Sequence, residues 1–166
     1  MKELMVKIIA QGQDRETRTG LCRSVWKHSL AFDLQEGFPA LTSKKLAWNS
    51  VVGELLWFLS GSSDLKDLRH YTFGNGDIDK WTIWTDDAVR WNKEINGEDV
   101  DDVGELYPLQ WRNYNNAGVD QIGKLIHGLI NNPFNRDHIV MAWNPETIHY
   151  NRTALKPCHI VFQCYV

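Results

Sequence analysis

Apolar residues recur at helical spacing in three segments of the chain. Residues 2–11 place their apolar side chains on one face of an amphipathic helix. Residues 48–59 are so rich in apolar side chains that they predict a buried helix, and Gly61 is expected to end it. A further helix is predicted across residues 119–130, where apolar side chains again fall on one face.

Three other segments have the pattern of β-strands. Residues 24–34 alternate apolar and polar side chains, which favours a strand with one buried face. Residues 138–143 and 159–166 are short apolar runs and predict two more strands. Long helices together with non-alternating apolar strands predict an α+β protein, in which a mixed β-sheet packs against long helices.

The segments between these elements are predicted to be loops. Gly37 and Pro39 interrupt the pattern after the first strand. Ser63 or Asp64 is expected to cap a short helix that follows the buried one. The acidic run at residues 97–105 is most simply a solvated loop.

Length and composition place the chain among globular proteins. Its 166 residues are predicted to form one domain, which would span the whole chain from residue 1 to 166. Charged residues make up 23% of the chain, and no apolar run reaches the roughly 20 residues of a membrane-spanning helix. The N-terminal segment lacks a signal-peptide cleavage site, and three cysteines fit a reducing compartment better than a disulfide framework. We therefore expect a cytoplasmic protein with no membrane partner.

The net charge of −3 argues against a general affinity for nucleic acid, which requires a basic face. A small anionic substrate needs only a few arginines in one pocket. Arg18 and Arg136 lie in predicted loops, where a single arginine is most often surface charge. The sequence has no Cys-x-x-Cys motif and no histidine pair at zinc spacing on one helix, so metal ligation is not expected.

Four residues are candidates for chemistry. Cys158 lies between a proline and a histidine, although the simplest interpretation of such a cysteine is a small buried residue at the start of a strand. Glu54 lies in the apolar run of the predicted buried helix, where a carboxylate is costly unless it is hydrogen-bonded or functional. Such a carboxyl group could transfer protons, but the periodicity is equally compatible with a surface residue. Trp84 and Trp111 lie next to polar loops, where a flat ring can stack on a heterocycle.

A set of short motifs, in a fixed order, spans nearly the whole chain. The most specific are "ELLWFLSGSSD" at 54–64, "IVMAWNP" at 139–145 and "LKPCHIVFQCYV" at 155–166. They are accompanied by "RTG" at 18–20, "GFPALTSKK" at 37–45, "TIW" at 82–84, "QWR" at 110–112 and "VDQI" at 119–122. By these motifs the chain resembles the N-terminal portion of thymidylate synthase.

The resemblance implies a reductive methylation of dUMP to dTMP, with 5,10-methylenetetrahydrofolate consumed as a co-substrate. Cys158 would be the nucleophile that attacks carbon 6 of the uracil ring, because a thiolate is a good nucleophile toward a conjugated carbon. Glu54 would organise water and protons around the pyrimidine carbonyl and the folate. A related hydroxymethylase that acts on dUMP or dCMP shares this nucleophile and is the alternative, although Trp84 favours the synthase.

The resemblance also implies binding residues. Arg18 would bind the nucleotide phosphate, and Arg136 would do so from the neighbouring subunit, since members of the family build this site across a homodimer. Lys44 and Trp84 would line the folate site. Asp137 stands where the family has a second arginine, and an aspartate beside a phosphate repels it.

Two features of the chain leave alternatives open. Tyr107 precedes the "QWR" motif. It is either the family's active-site tyrosine in a rewritten loop, or that tyrosine is deleted and Tyr107 replaces a glycine. The family continues well beyond Val166, so the chain is expected to be a gene fragment, the product of one exon, or a non-catalytic remnant that only folds and self-associates. A separately encoded C-terminal half is the partner that a split enzyme would need. We expect no turnover by the chain alone, because the groups that read the uracil edge and close the site lie in the other half.

Overall fold

The structure, a computed structural model, describes residues 2–17, 20–97 and 100–166. It divides into two compact units, Met1–Leu46 and Ala47–Val166. Helices are combined with short two-stranded antiparallel sheets, which confirms the predicted α+β class. The prediction of one domain across the whole chain stays a prediction.

The first unit begins with a helix and an antiparallel hairpin. Helix α1 spans Lys2–Gln11, as predicted, and is followed by β1 (Gln13–Thr17) and β2 (Gly20–Ser24). Asp14 and Arg23 face each other across the hairpin and form an ion pair with an Nε–Oδ1 distance of 2.7 Å. The hydrogen bond from this guanidinium lowers the pKa of the Asp14 carboxyl group.

The strand predicted for residues 24–34 is wrong. Only Ser24 of this segment belongs to a strand, and a short 3-10 turn covers Leu34–Glu36. Trp26 and Phe32, which contribute to the alternation, are exposed. Alternation stabilises a strand only where a neighbouring strand pairs with it and a core covers its apolar face. Among the described residues, no strand pairs with this segment beyond Ser24.

Helix α2 spans Trp48–Ser60 and ends at Gly61, as predicted. The φ of 84° at Gly61 is the left-handed conformation that glycine adopts without strain. The prediction that this helix is buried is only partly correct, because its fully buried residues are Gly53 and Trp57. Its exposed apolar side chains are those of Trp48, Val51, Val52, Leu55, Leu56 and Leu59. Apolar composition shows that these faces can be covered, but it does not show what covers them.

Helix α3, Leu65–Phe73, packs closely against α2. A Cβ atom on Gly53 would lie 2.4 Å from Oγ1 of Thr72, so the absence of a side chain at Gly53 permits this approach. Asp64 is the N-cap of α3, because its carboxylate accepts a hydrogen bond from a main-chain N–H of the first turn. The Ser63 hydroxyl instead donates a hydrogen bond to a carboxylate of the acidic run.

The acidic run at residues 97–105 is not a solvated loop, as its residues 100–105 show. Val103 is fully buried. Asp101 pairs with Arg69 of α3, whose guanidinium Nη1 lies 2.5 Å from Oδ2 of the aspartate. A run of carboxylates is expected to lie at the surface because each carboxylate needs water to solvate it. Here the buried guanidinium of Arg69 replaces water at Asp101, and the local sequence pattern does not reveal this partner.

The described part of the second unit contains four further helices and two strands. They are α4 (Thr85–Asn96), α5 (Tyr107–Arg112), α6 (Gln121–Asn131), β3 (Ile139–Met141), α7 (Pro145–His149) and β4 (Val161–Gln163). Strands β3 and β4 pair antiparallel, with Val140 opposite Phe162. Helix α6 and both strands confirm predicted elements, although the strands are shorter than predicted. Within the described residues, no helix has the length and apolar character needed to cross a membrane.

Candidate active site

Cys158 lies in the loop between α7 and β4, three residues before β4 begins. Its side chain is exposed, so the interpretation of a buried cysteine is wrong. Its main-chain N–H donates a hydrogen bond to the hydroxyl of Tyr107. The thiol is therefore accessible to a reagent while its main chain is held in place.

Tyr107 is the first residue of α5, and only 4% of its surface is exposed. The imidazole of His159 stacks on its ring, with ring centroids 4.4 Å apart and an angle of 12° between the ring planes. Burial raises the pKa of Tyr107, and burial lowers the pKa of His159. At neutral pH the tyrosine hydroxyl therefore keeps its proton and the imidazole is uncharged.

Glu54 lies on α2 and is half-buried. Its Oε1 accepts a hydrogen bond of 2.5 Å from the indole N–H of Trp84, the residue before α4. The Trp84 ring packs edge-on against Trp57 and Tyr107, with centroid distances of 5.6 and 6.1 Å. The carboxylate is thus hydrogen-bonded, as its apolar sequence context requires.

A pocket of about 260 Å³ lies beside the Glu54–Trp84 pair. Its walls come from α2, α3 and the segment before α4. The lining residues are Ala47, Ser50, Glu54, Leu68, Thr72, Phe73, Trp81, Thr82, Ile83 and Trp84. Glu54 is the one charged residue in this lining, among the residues that the structure describes. An apolar pocket with a single carboxylate suits a flat conjugated ring that carries an N–H donor.

Glu54, Trp84 and Cys158 are connected through Tyr107, which contacts Trp84 on one side and Cys158 on the other. The structure therefore brings together three of the six residues to which the resemblance assigned a role. Within the described residues, no cluster of three or more His, Cys, Asp and Glu side chains is arranged to hold a metal ion.

The other three residues to which the resemblance assigned a role are not part of this connected set. Arg136 is exposed in the turn before β3, and its carbonyl oxygen accepts a hydrogen bond of 3.5 Å from Gln163 of β4. Lys44 lies in an exposed loop of the first unit. Arg18 lies outside the described residues.

Similarity to known proteins covers the full length of the chain. The family model for thymidylate synthase matches residues 1–166. The chain belongs to the thymidylate synthase family. It is 49% identical over 169 residues to a probable thymidylate synthase of Escherichia phage T5, a match that covers 99% of this chain and 57% of the phage protein. The crystal structure of thymidylate synthase from T4 phage matches it with a TM-score of 0.86 at 36% identity, over 99% of this chain and 56% of that chain. The chain thus spans little more than half the length of these relatives.

The role of Tyr107 was left open by the sequence. The structure places its hydroxyl on the main chain of Cys158. The sequence contained a signal for the burial of Tyr107, because it lies four residues before Trp111 and the two rings share one face of a helix. A buried tyrosine hydroxyl also needs a hydrogen-bond partner, which favours a position beside polar main-chain groups.

Asp137, which departs from the thymidylate synthase pattern, has a cationic neighbour. Its Oδ2 lies 3.5 Å from Nζ of Lys124 on α6. Both side chains are more than half exposed, so the ion pair contributes little to stability. The lysine nevertheless offsets the negative charge of the turn that carries Arg136.

Proposed function

We propose that this chain is the nucleophile-bearing portion of a thymidylate synthase, which converts dUMP to dTMP by reductive methylation. The observation that carries the proposal is the exposed thiol of Cys158, whose main chain is held by Tyr107 next to the Glu54–Trp84 pair. A nucleophile, a carboxyl group and an apolar pocket then belong to one connected set of side chains. This combination is what an addition to a conjugated ring requires.

Cys158 acts first in the proposed reaction. Its thiolate forms a C–S bond to carbon 6 of the uracil ring, and the electron pair of the C5–C6 double bond moves toward C5 and the carbonyl oxygen at C4. Glu54 organises water and protons around that carbonyl, so that the developing negative charge is met by a proton donor. When the C–S bond breaks at the end, the electron pair returns to sulfur and the thiolate is regenerated.

The pocket beside Glu54 fits the ring of a reduced folate, the proposed co-substrate. Trp84 and Ile83 offer apolar surface for a flat ring, and the Glu54 carboxylate can accept a ring N–H. When bound, 5,10-methylenetetrahydrofolate supplies the one-carbon unit and the hydride. We assign Lys44 to the same substrate on the basis of its motif.

Arg18 and Arg136 are the proposed ligands of the nucleotide phosphate. A guanidinium binds a phosphate through two parallel hydrogen bonds, which fixes the orientation of the nucleotide as well as its position. Arg136 acts in the site of the neighbouring subunit, so this assignment requires a homodimer.

Exposed apolar side chains on the paired strands support such a dimer. Ile139 of β3 is 41% exposed and Val161 of β4 is 45% exposed. An apolar sheet face of this kind is typical of obligate interfaces. Sedimentation of the purified chain at micromolar concentration should show a dimer or a larger species. A well-folded monomer would contradict the proposed dimer.

The proposed partner in catalysis is a polypeptide equivalent to the remaining part of the phage relatives. The exposed apolar side chains of α2, defined above, are available to pack against such a partner. We expect the chain alone not to turn over dUMP, because positioning of both substrates contributes about 7–11 kcal/mol to barrier lowering in well-oriented reactions.

A dihydrofolate-formation assay tests the proposed function. The full 166-residue chain is assayed alone and after mixing with the separately expressed remaining portion of the T5 phage relative. Turnover is expected only in the mixture. It should be lost in Cys158→Ser and retained in Cys164→Ala, the control for removal of a thiol outside the proposed site. Turnover in the Cys158→Ser variant would contradict the proposed nucleophile. No dihydrofolate formation in any mixture would favour the non-catalytic remnant.

A further inference from the structure

His159 follows the proposed nucleophile and lies among aromatic rings. Its imidazole stacks on Tyr107 at a centroid distance of 4.4 Å, and the ring of Trp111 lies at 5.7 Å with a tilt of 51°. Its Nε2 atom is buried and has no hydrogen-bond partner among the described residues. A buried polar atom without a partner does not hold a ring in place, so ring contacts fix the imidazole.

The stacked tyrosine reaches the nucleophile through its hydroxyl. The hydroxyl oxygen accepts the main-chain N–H of Cys158. Burial is the largest cause of the raised pKa of Tyr107, and the neighbouring Cys158 side chain raises it further. A hydroxyl that accepts an N–H keeps its own proton to donate, and a thiolate sulfur is an acceptor for it.

We propose that His159 is a positioning residue, which stacks on Tyr107 and thereby holds the tyrosine hydroxyl against the main chain and the thiolate of Cys158. The inference rests on the proposed function only in that Cys158 is the nucleophile. His159 itself has no contact with substrate in this role.

An acid–base role for His159 fits the structure less well than positioning. Burial lowers the pKa of the imidazole, so the ring is uncharged at neutral pH. Among the contacts described for His159 and its neighbour Tyr107, the titratable groups are the Tyr107 hydroxyl and Cys158, and Trp111 carries no charge. A neutral ring with a planar stacking contact orients its neighbour, and any planar aromatic ring of similar size could do the same.

Alkylation of Cys158 by iodoacetamide measures the proposed effect. The thiolate forms a bond to the methylene carbon and iodide leaves, so the rate reports the amount of accessible thiolate. The full chain is alkylated across a range of pH, and peptide mass spectrometry gives the rate at each cysteine. In His159→Ala, the pH of half-maximal alkylation at Cys158 should move up, and the rate at neutral pH should fall about two- to tenfold.

Two further variants separate stacking from a purely structural role. His159→Phe keeps a planar ring and should retain the parent's pH profile. Tyr107→Phe keeps the stacked ring but lacks the hydroxyl, so its profile should shift upward as in His159→Ala. If His159→Ala does not fold, His159→Leu takes its place, because it also lacks a planar ring and should show the same upward shift; a folded His159→Leu with the parent's profile would overturn the proposal.

The matched control is His149→Ala, since His149 also contacts a tyrosine ring, that of Tyr150, at 4.7 Å. This variant should leave the pH dependence of alkylation at Cys158 unchanged. The alkylation rates at Cys22 and Cys164 serve as internal references. An unchanged profile in Tyr107→Phe, or a shift in His159→Phe equal to that in His159→Ala, would overturn the proposal. The assay contains no dUMP and no folate, so its failure is distinct from a failure of the proposed function.

Discussion

The indole N–H of Trp84 donates a hydrogen bond of 2.5 Å to Oε1 of Glu54, and this bond links α2 to the segment that leads into α4. The two residues are 30 positions apart in the sequence. The bond places a carboxylate at the wall of an otherwise apolar pocket, next to an indole ring that the same bond orients.

Glu54→Leu should destabilise the chain, because it leaves the Trp84 indole without its acceptor. A partly buried donor that loses its partner costs about 1–3 kcal/mol in the free energy of unfolding. Glu54→Gln keeps a carbonyl oxygen as acceptor and should cost less. Urea unfolding monitored by tryptophan fluorescence compares the variants. Equal stabilities of the Leu and Gln variants would show that the hydrogen bond contributes nothing.

Arg69→Met should be strongly destabilising, because Arg69 is 2% exposed and its guanidinium pairs with Asp101. The Asp101 carboxylate left behind is 31% exposed and keeps part of its solvation, so we expect a loss of about 1–3 kcal/mol in the free energy of unfolding. Arg90→Met is the matched control, since Arg90 forms an exposed ion pair with Asp87, and its loss should cost at most about 1 kcal/mol. Circular dichroism during denaturation gives both values. Equal losses in the free energy of unfolding in Arg69→Met and Arg90→Met would show that burial of the arginine does not decide the cost.

The stability of the chain should fall as His159 becomes protonated. Burial lowers the pKa of His159 in the folded chain below its ordinary value of 6.5, so the unfolded chain binds this proton more strongly. The contribution of the neutral ring to the free energy of unfolding is therefore fully present above the pKa of the unfolded chain. It is lost as the pH falls toward the pKa of the folded chain. Between about pH 7.5 and about pH 5.5, the free energy of unfolding should drop more in the parent than in His159→Phe.

Urea unfolding at the two pH values measures this difference. His149→Phe, at an exposed histidine, is the control and should follow the parent. If the parent and His159→Phe lose the same stability on acidification, burial of His159 does not couple folding to pH.

Cys158 should be the fastest of the three thiols to be alkylated at neutral pH. Its side chain is exposed beside the Tyr107 hydroxyl, whereas the Cys22 sulfur lies 3.4 Å from Oγ1 of Thr17 and Cys164 is only partly exposed. Peptide mass spectrometry after a short exposure to iodoacetamide gives the three rates. Faster labelling of Cys22 or Cys164 would remove the physical support for Cys158 as the nucleophile.

Local sequence patterns determined several elements of this protein correctly. Helix α2 and its end at Gly61 follow from apolar crowding and from the left-handed conformation that glycine tolerates. Helix α6 follows from a one-sided apolar face. The Pro-Cys-His motif made Cys158 a candidate, because the neighbours of a residue are a local property, and its role as the nucleophile stays a prediction. These features depend on residues within a few turns of one another, so the sequence contains all the information needed.

The tertiary structure alone decided which of these side chains meet. The alternating segment at residues 24–34 forms no strand beyond Ser24, because a strand requires pairing that the alternation itself cannot supply. Asp101 forms an ion pair with the buried guanidinium of Arg69, which lies 32 positions away in the sequence. Tyr107 and Cys158 are 51 positions apart, and their hydrogen bond exists because packing brings the start of α5 to the loop before β4. Contacts of this length depend on how whole elements pack, and periodicity within a single element does not encode them.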